Sequence, residues 1–140
     1  RFEVGDRAYL VQEYVEGENL EHWIEQGQRF SQKDAIWFLL DVLPILEFIH
    51  SQDLIHRDIK PSNLIRRTNG RIVLIDFGAA QWLSNDSAVI EEKQSPSDPT
   101  TEAIVTIGTP GYMPEEQQQG QADFGSDLYS LGVSVIQLLT

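Results

Sequence analysis

Two β-prone runs, residues 64–66 and 71–75, meet at Asn69-Gly70, and this leaves the chain between them little freedom. An Asn-Gly pair between two such runs is a strong signal for a hairpin turn. Pairing of the two arms then fixes what stands at their outer ends. Asn63 leads into the first arm, and Asp76 follows the last residue of the second. Two backbone ladders would thus set the separation of an amide and a carboxylate. Just upstream the chain reads His56-Arg57-Asp58-Ile59-Lys60-Pro61-Ser62-Asn63, and Asp76-Phe77-Gly78 begins eighteen residues after Asp58.

Taken singly, Asp58, Asn63 and Asp76 would be turn formers or helix caps. Together with Lys60 they supply one base, one cation and two hard oxygen ligands, the equipment for moving a phosphoryl group. Such transfer needs an in-line nucleophile, charge neutralisation on the migrating group, and metal ions bridging the phosphates. A carboxylate at Asp58 can orient an acceptor hydroxyl and take its proton. An ammonium at Lys60 can stabilise charge developing on the γ-phosphate. Asn63 and Asp76 offer a neutral and an anionic oxygen, both suited to Mg²⁺. Gly78 allows a sharp turn after Phe77.

The remaining pattern is that of a mixed globular chain of 140 residues, with 41% apolar side chains and three Trp, four Tyr and six Phe. Residues 8–15 read as a strand, broken by Glu16-Gly17-Glu18-Asn19, after which Leu20, Trp23 and Ile24 fall at helical spacing. Ser31 to Asp34 is a capping signal for a long, mostly buried helix in which Trp37 and Phe48 are packing residues and Pro44 introduces a kink. Leu54-Ile55 forms a short strand. Residues 84–104 are polar and acidic and read as a mobile loop, with order returning at Thr106; residues 126–139 are helical. Net charge is −12, from 22 acidic and 10 basic residues, which disfavours nucleic-acid or anionic-membrane partners. The absence of cysteine excludes disulfides and thiolate metal sites. No apolar stretch reaches membrane-spanning length.

The two motifs resemble the catalytic loop and the Asp-Phe-Gly segment of the eukaryotic-type serine/threonine protein kinase family. Residues 108–115, Gly-Thr-Pro-Gly-Tyr-Met-Pro-Glu, resemble the end of that family's activation segment, with Met113-Pro114-Glu115 in place of Ala-Pro-Glu. Residues 43–50 and the Tyr-Met-Pro-Glu-Glu-Gln run are similar in wording to bacterial, and specifically cyanobacterial, members. The resemblance implies an α+β, protein-kinase-like fold running from the hinge through most of the helical C-lobe to its central buried helix. Residues 1–17 would hold the last N-lobe strand and hinge, residues 18–140 an incomplete C-lobe, and residues 76–115 the activation segment.

The resemblance also implies roles. ATP and Mg²⁺ would be the cofactors and a protein Ser or Thr hydroxyl the acceptor. Adenine would pair with backbone groups of Glu13 and Val15 over the apolar floor of Ile65, with Gln12 as gatekeeper and Asn19 near the ribose. Asn63 and Asp76 would hold the metal, and Asp58 and Lys60 would act on the reacting groups. Thr109 would bond Asp58 and Lys60, Asp127 would tie down the catalytic-loop backbone, and His56 would pack beneath Phe77. Glu115 would be structural. His22 and His50 have no ligand partner in sequence and are expected at the surface or in the core. Lys60 with Gly108-Thr109-Pro110 favours serine/threonine over tyrosine acceptors, and Ser62 gives no support to a basic consensus.

Arg57 marks the class switched by activation-loop phosphorylation, with Ser95, Ser97, Thr100, Thr101 and Thr106 as conceivable acceptors; yet Ala79-Ala80-Gln81 offers no second basic residue. Nothing before Glu13 can serve as a glycine-rich loop or strand lysine, so this stretch alone is expected to be inactive, and marginal as an independent fold. A pseudokinase or scaffold on the same fold is the alternative, disfavoured by the intact Asp58, Lys60, Asn63 and Asp76. A small-molecule kinase normally lacks the segment at 108–115. The domain is expected in the cytoplasm, with a membrane anchor elsewhere allowed.

Overall fold

A computed structural model of the chain describes residues 2–4, 7–9, 12–83 and 107–140. The expected loop at 84–104, the four candidate acceptors within it and Thr106 lie outside the described residues. Strands β1 (Phe2–Val4) and β2 (Arg7–Tyr9) pair antiparallel, with Phe2 opposite Tyr9. The strand expected over residues 8–15 is therefore shorter, and residues 12–16 are irregular.

The chain next forms β3 (Glu18–Asn19), a two-residue strand where a simple break was expected. It pairs with the first hairpin arm, Glu18 opposite Arg66 and Asn19 opposite Ile65. Gly17 makes this approach possible, because a Cβ there would lie 2.5 Å from the Arg66 carbonyl oxygen and 2.7 Å from Ile65 Cγ2. Asn19 then caps α1 (Leu20–Glu25) by accepting from Glu21 N at 2.9 Å.

A reciprocal capping box opens α2 (Gln32–His50). Ser31 Oγ accepts from Asp34 N at 3.2 Å, and Asp34 accepts from Ser31 N at 2.9 Å. Only one stripe of α2 reaches the core: Ala35, Phe38, Val42, Leu46 and Ile49 are buried, whereas Trp37, Leu40, Leu43 and Phe48 are exposed. The helix is thus amphipathic rather than mostly buried, and Trp37 and Phe48 do not serve as core packing. It continues through Pro44, which lies on the exposed side.

Past α2, β4 (Leu54–Ile55) pairs antiparallel with β7 (Gln81–Trp82). Between them lies the hairpin of β5 (Leu64–Arg66) and β6 (Ile72–Leu74), with Leu64 opposite Leu74. Its turn closes through Gly70 N to the Arg67 carbonyl at 2.8 Å and Arg67 N to the Arg71 carbonyl at 2.9 Å, with Gly70 at φ +84°. Beyond residue 107 come α3 (Glu115–Gln118) and α4 (Phe124–Leu139), the latter opened by an Asp123–Ser126 capping box.

One apolar core joins α1, α2, the hairpin and α4, including Leu20, Phe38, Val42, Leu46, Ile59, Leu64, Leu74, Leu131 and Leu138. Small sheets and packed helices together make an α+β architecture. Ile59, fully buried, belongs to the loop between β4 and β5. That loop is consequently nailed to the core at its centre.

Candidate active site

Burial alternates along the loop 56–63 and decides which side chains are presented. His56, Ile59, Pro61 and Asn63 are buried, while Arg57, Asp58 and Lys60 are half-buried. The loop backbone hangs on Asp127, a fully buried residue of α4. Its carboxylate accepts from His56 N at 2.9 Å, from Arg57 N at 2.8 Å, and contacts His50 Nε2 at 2.8 Å. Arg57 adopts φ +66°, a left-handed conformation costly for a non-glycine residue, and the bond from its own amide to Asp127 supports it. His50, for which the sequence offered no partner, is therefore part of this anchor; its ring also lies 4.6 Å from that of Phe124. No local signal linked residues 50 and 127, because the contact spans α2 and α4.

Asp58 sits at the centre of a compact polar group. Lys60 Nζ lies 3.0 Å from Asp58 Oδ2 and donates to Thr109 Oγ1 at 2.6 Å. The Thr109 hydroxyl in turn donates to Asp58 Oδ1 at 2.6 Å. Asn63 Nδ2 donates to the Asp58 carbonyl at 2.8 Å and to Oδ2 at 3.1 Å. Burial alone would push the Asp58 carboxyl up, but the bonds from Thr109, Lys60 and Asn63 and the Lys60 charge outweigh it. The group is held below its ordinary 3.8 and is ionised at neutral pH. Such a carboxylate is better suited to orienting a hydroxyl than to storing a proton.

Asp76 is delivered by the hairpin. Ile75 N donates to the Asn63 carbonyl at 2.9 Å, extending the β5–β6 ladder to the two residues expected at its ends. Asp76 takes φ +63°, accepts from Gly78 N at 3.1 Å and is exposed. His56 packs against this segment: its ring meets Phe77 edge-on at 4.7 Å and its Nε2 lies 3.2 Å from the Ile75 carbonyl. Burial pushes the His56 imidazole below its ordinary 6.5, against the opposing pull of Asp127, Asp58 and Asp76. It is neutral at pH 7 and acts as packing, as expected.

The chemistry of the donor set fits a magnesium–nucleotide complex. Asn63 commits its NH₂ to Asp58, so its amide oxygen would be the atom able to serve a metal, and Asp76 adds an exposed carboxylate. Among the described residues no group of three or more His, Cys, Asp or Glu could enclose a metal by itself. Mg²⁺ in phosphate sites typically uses one or two protein oxygens plus phosphate and water, so a sparse set is suitable.

Comparison with known proteins agrees with this geometry. A family model described as the protein kinase domain matches residues 1–140. The chain belongs to the protein kinase domain family. It is 46% identical over 140 residues to the serine/threonine-protein kinase PknA of Nostoc sp., covering 99% of this chain and 24% of that protein. To serine/threonine-protein kinase B of Synechocystis sp. the identity is 43% over 140 residues, 99% of this chain and 24% of that protein. A plant relative, 3-phosphoinositide-dependent protein kinase 1 of Arabidopsis thaliana, is 34% identical over 99% of this chain and 28% of its own length. The chain thus spans about a quarter of the length of the curated relatives it matches.

Of the residues that the family resemblance places near a nucleotide, Gln12, Glu13 and Tyr14 are exposed and Val15 is half-buried. Glu13 pairs with Arg67 at 3.5 Å, and Ile65 Cγ2 lies beside Gly17, so residues 13–17 run close to the first hairpin arm. Asn19 donates to the Ser62 carbonyl at 2.6 Å and so ties β3 to the loop 56–63. On the acceptor side, Glu115 is exposed, whereas Glu116 is half-buried and accepts from Ser126 Oγ at 3.5 Å. α3 begins at Glu115, and adjacent helical side chains point about 100° apart, so its first two acids face different surroundings. Arg57 donates to the Ala79 carbonyl at 2.6 Å and to Gln81 Oε1 at 2.7 Å, contacts made to a neutral segment.

Proposed function

We propose that this chain is the core of a serine/threonine protein kinase that transfers the γ-phosphoryl group of ATP to Ser or Thr hydroxyls of protein substrates. The single observation that carries the reading is the Asp58–Lys60–Thr109 group, in which an ionised carboxylate and an ammonium lie 3.0 Å apart. Asp58 orients the acceptor hydroxyl and receives its proton as the new bond forms. Lys60 offsets charge on the transferring group, and Thr109 holds both side chains in place. Asn63 and Asp76 are the residues that would hold Mg²⁺, which supplies charge neutralisation across the phosphates when bound. Backbone groups of Glu13 and Val15, with Ile65 beneath, would receive the adenine. Among the described residues no helix is long and apolar enough to cross a membrane. A cytoplasmic location goes with the requirement for ATP.

Asp58→Asn in the complete protein tests the reading. Phosphate incorporation into a protein acceptor is expected to fall by about 10²- to 10⁴-fold, the usual contribution of a positioned base, while ATP affinity is retained. Unchanged turnover would remove the mechanism. A wild-type protein that binds nucleotide but transfers no phosphate would favour a scaffold instead.

A further inference from the structure

We infer that Gln117, on α3, is a positioning residue that locks the acceptor-binding segment to the catalytic loop; the inference rests on the kinase reading. Gln117 is 2% exposed, an unusual place for a glutamine. Its Nε2 donates to the Arg57 carbonyl at 2.6 Å and to the Ile107 carbonyl at 2.9 Å. The orientation of the amide is set by its partners. Both are acceptors, so only the NH₂ end can face them, and a flipped amide would set oxygen against oxygen.

The two carbonyls matter because each lies just upstream of a site residue. Arg57 immediately precedes Asp58, and Ile107 stands two residues before Thr109. One amide thus cross-links the peptides leading to the two side chains that meet at 2.6 Å. Gly108 opens the way. It sits at φ +130°, and a Cβ there would lie 2.5 Å from Gln117 Nε2, 2.7 Å from Met113 Sδ and 2.9 Å from the Arg57 carbonyl oxygen. Farther along, Tyr112 is fixed to α4 by Ser130 Oγ on its carbonyl at 2.8 Å and by a hydroxyl contact to Gln137. The segment 107–112 is therefore held at both ends, and Gln117 is what joins its first end to the catalytic-loop backbone.

A second feature separates this from ordinary packing. Among the described residues Gln117 Oε1 is buried without a hydrogen-bond partner, which costs stability. An apolar side chain of similar length would fill the same space with no such cost, so the residue is explained by what its NH₂ group holds together.

Gln117→Met, in the complete protein, keeps the volume and removes the donor. Its kcat/KM for a protein or peptide acceptor is expected to fall about 10- to 100-fold, the scale of leaving buried carbonyls unpaired, with KM for ATP within about twofold of wild type. Wild-type acceptor kinetics would overturn the inference, as would an equal loss on the ATP side. Gln117→Glu adds a readout that packing alone would not move. Ionised, the carboxylate repels both carbonyls; protonated, it donates one bond. Its activity relative to wild type should rise as pH falls from about 8 to about 6, and a flat ratio counts against the inference. This variant also serves should Gln117→Met fail to fold. If the wild-type protein itself transfers no phosphate, the kinase reading fails separately. The lock is then judged by amide hydrogen exchange at residues 107–113: faster exchange in Gln117→Met supports it, and unchanged exchange overturns it.

Discussion

Replacing Asp127 by Asn isolates how much of the catalytic loop's geometry rests on one buried carboxylate. The wild-type group receives bonds from His56 N, Arg57 N and His50, each 2.8–2.9 Å long. Asn keeps one acceptor oxygen and turns the other into a donor. In the less damaging orientation the oxygen stays with His56 and His50, and the NH₂ faces Arg57 N–H. One bond to a charged group is then lost, worth about 1.5–3 kcal/mol. At about 1.4 kcal/mol per factor of ten, local opening of the loop should become about 10- to 150-fold more frequent. Arg57 has a further reason to move, because its φ of +66° is no longer supported. Amide hydrogen exchange across residues 55–60 of the complete protein reads this directly. The acceleration should be confined to that loop and centred on His56 and Arg57. Exchange indistinguishable from wild type would refute the claim that Asp127 holds the loop.

The same packing sets three further outcomes. Ile59→Ala removes a fully buried side chain from the middle of the catalytic loop and should destabilise the protein by about 2–5 kcal/mol, read as a lower denaturation midpoint. Gly17→Ala would push a methyl group against the Arg66 carbonyl, costing about 1–3 kcal/mol and weakening nucleotide binding by displacing the hinge from β5; an unchanged nucleotide Kd would argue against that coupling. His56, with a depressed folded-state pKa, binds fewer protons than in the unfolded chain below 6.5, so stability should be lost as pH falls through that region. His56→Asn should flatten this slope near pH 6. Asp58, also depressed, acts in a separate window: its contribution is complete above 3.8 and is lost only at lower pH.

Much of the site was legible because its parts are local. Asp58, Lys60 and Asn63 lie within six residues of one another, and the hairpin turn at Asn69-Gly70 connects them to Asp76 through a ladder whose register needs only neighbouring residues. The capping box at Ser31 was equally local. Thr109 and Asp127 were reached only through resemblance to the family, since nothing in their own surroundings names a partner.

What the sequence determined by itself is therefore the chemistry on offer and the short-range backbone that spaces it. Tertiary structure decided which distant groups complete it. His50 and Asp127 meet only because α2 and α4 pack together, and Gln117 finds two carbonyls only after the chain has folded back from residue 57. Which stripe of α2 is buried was likewise settled by its neighbours. The physical reason is range: hairpin registers and caps are fixed by bonds a few residues apart. A buried amide or carboxylate acquires its meaning from partners whose approach costs chain entropy that only the assembled core can offset.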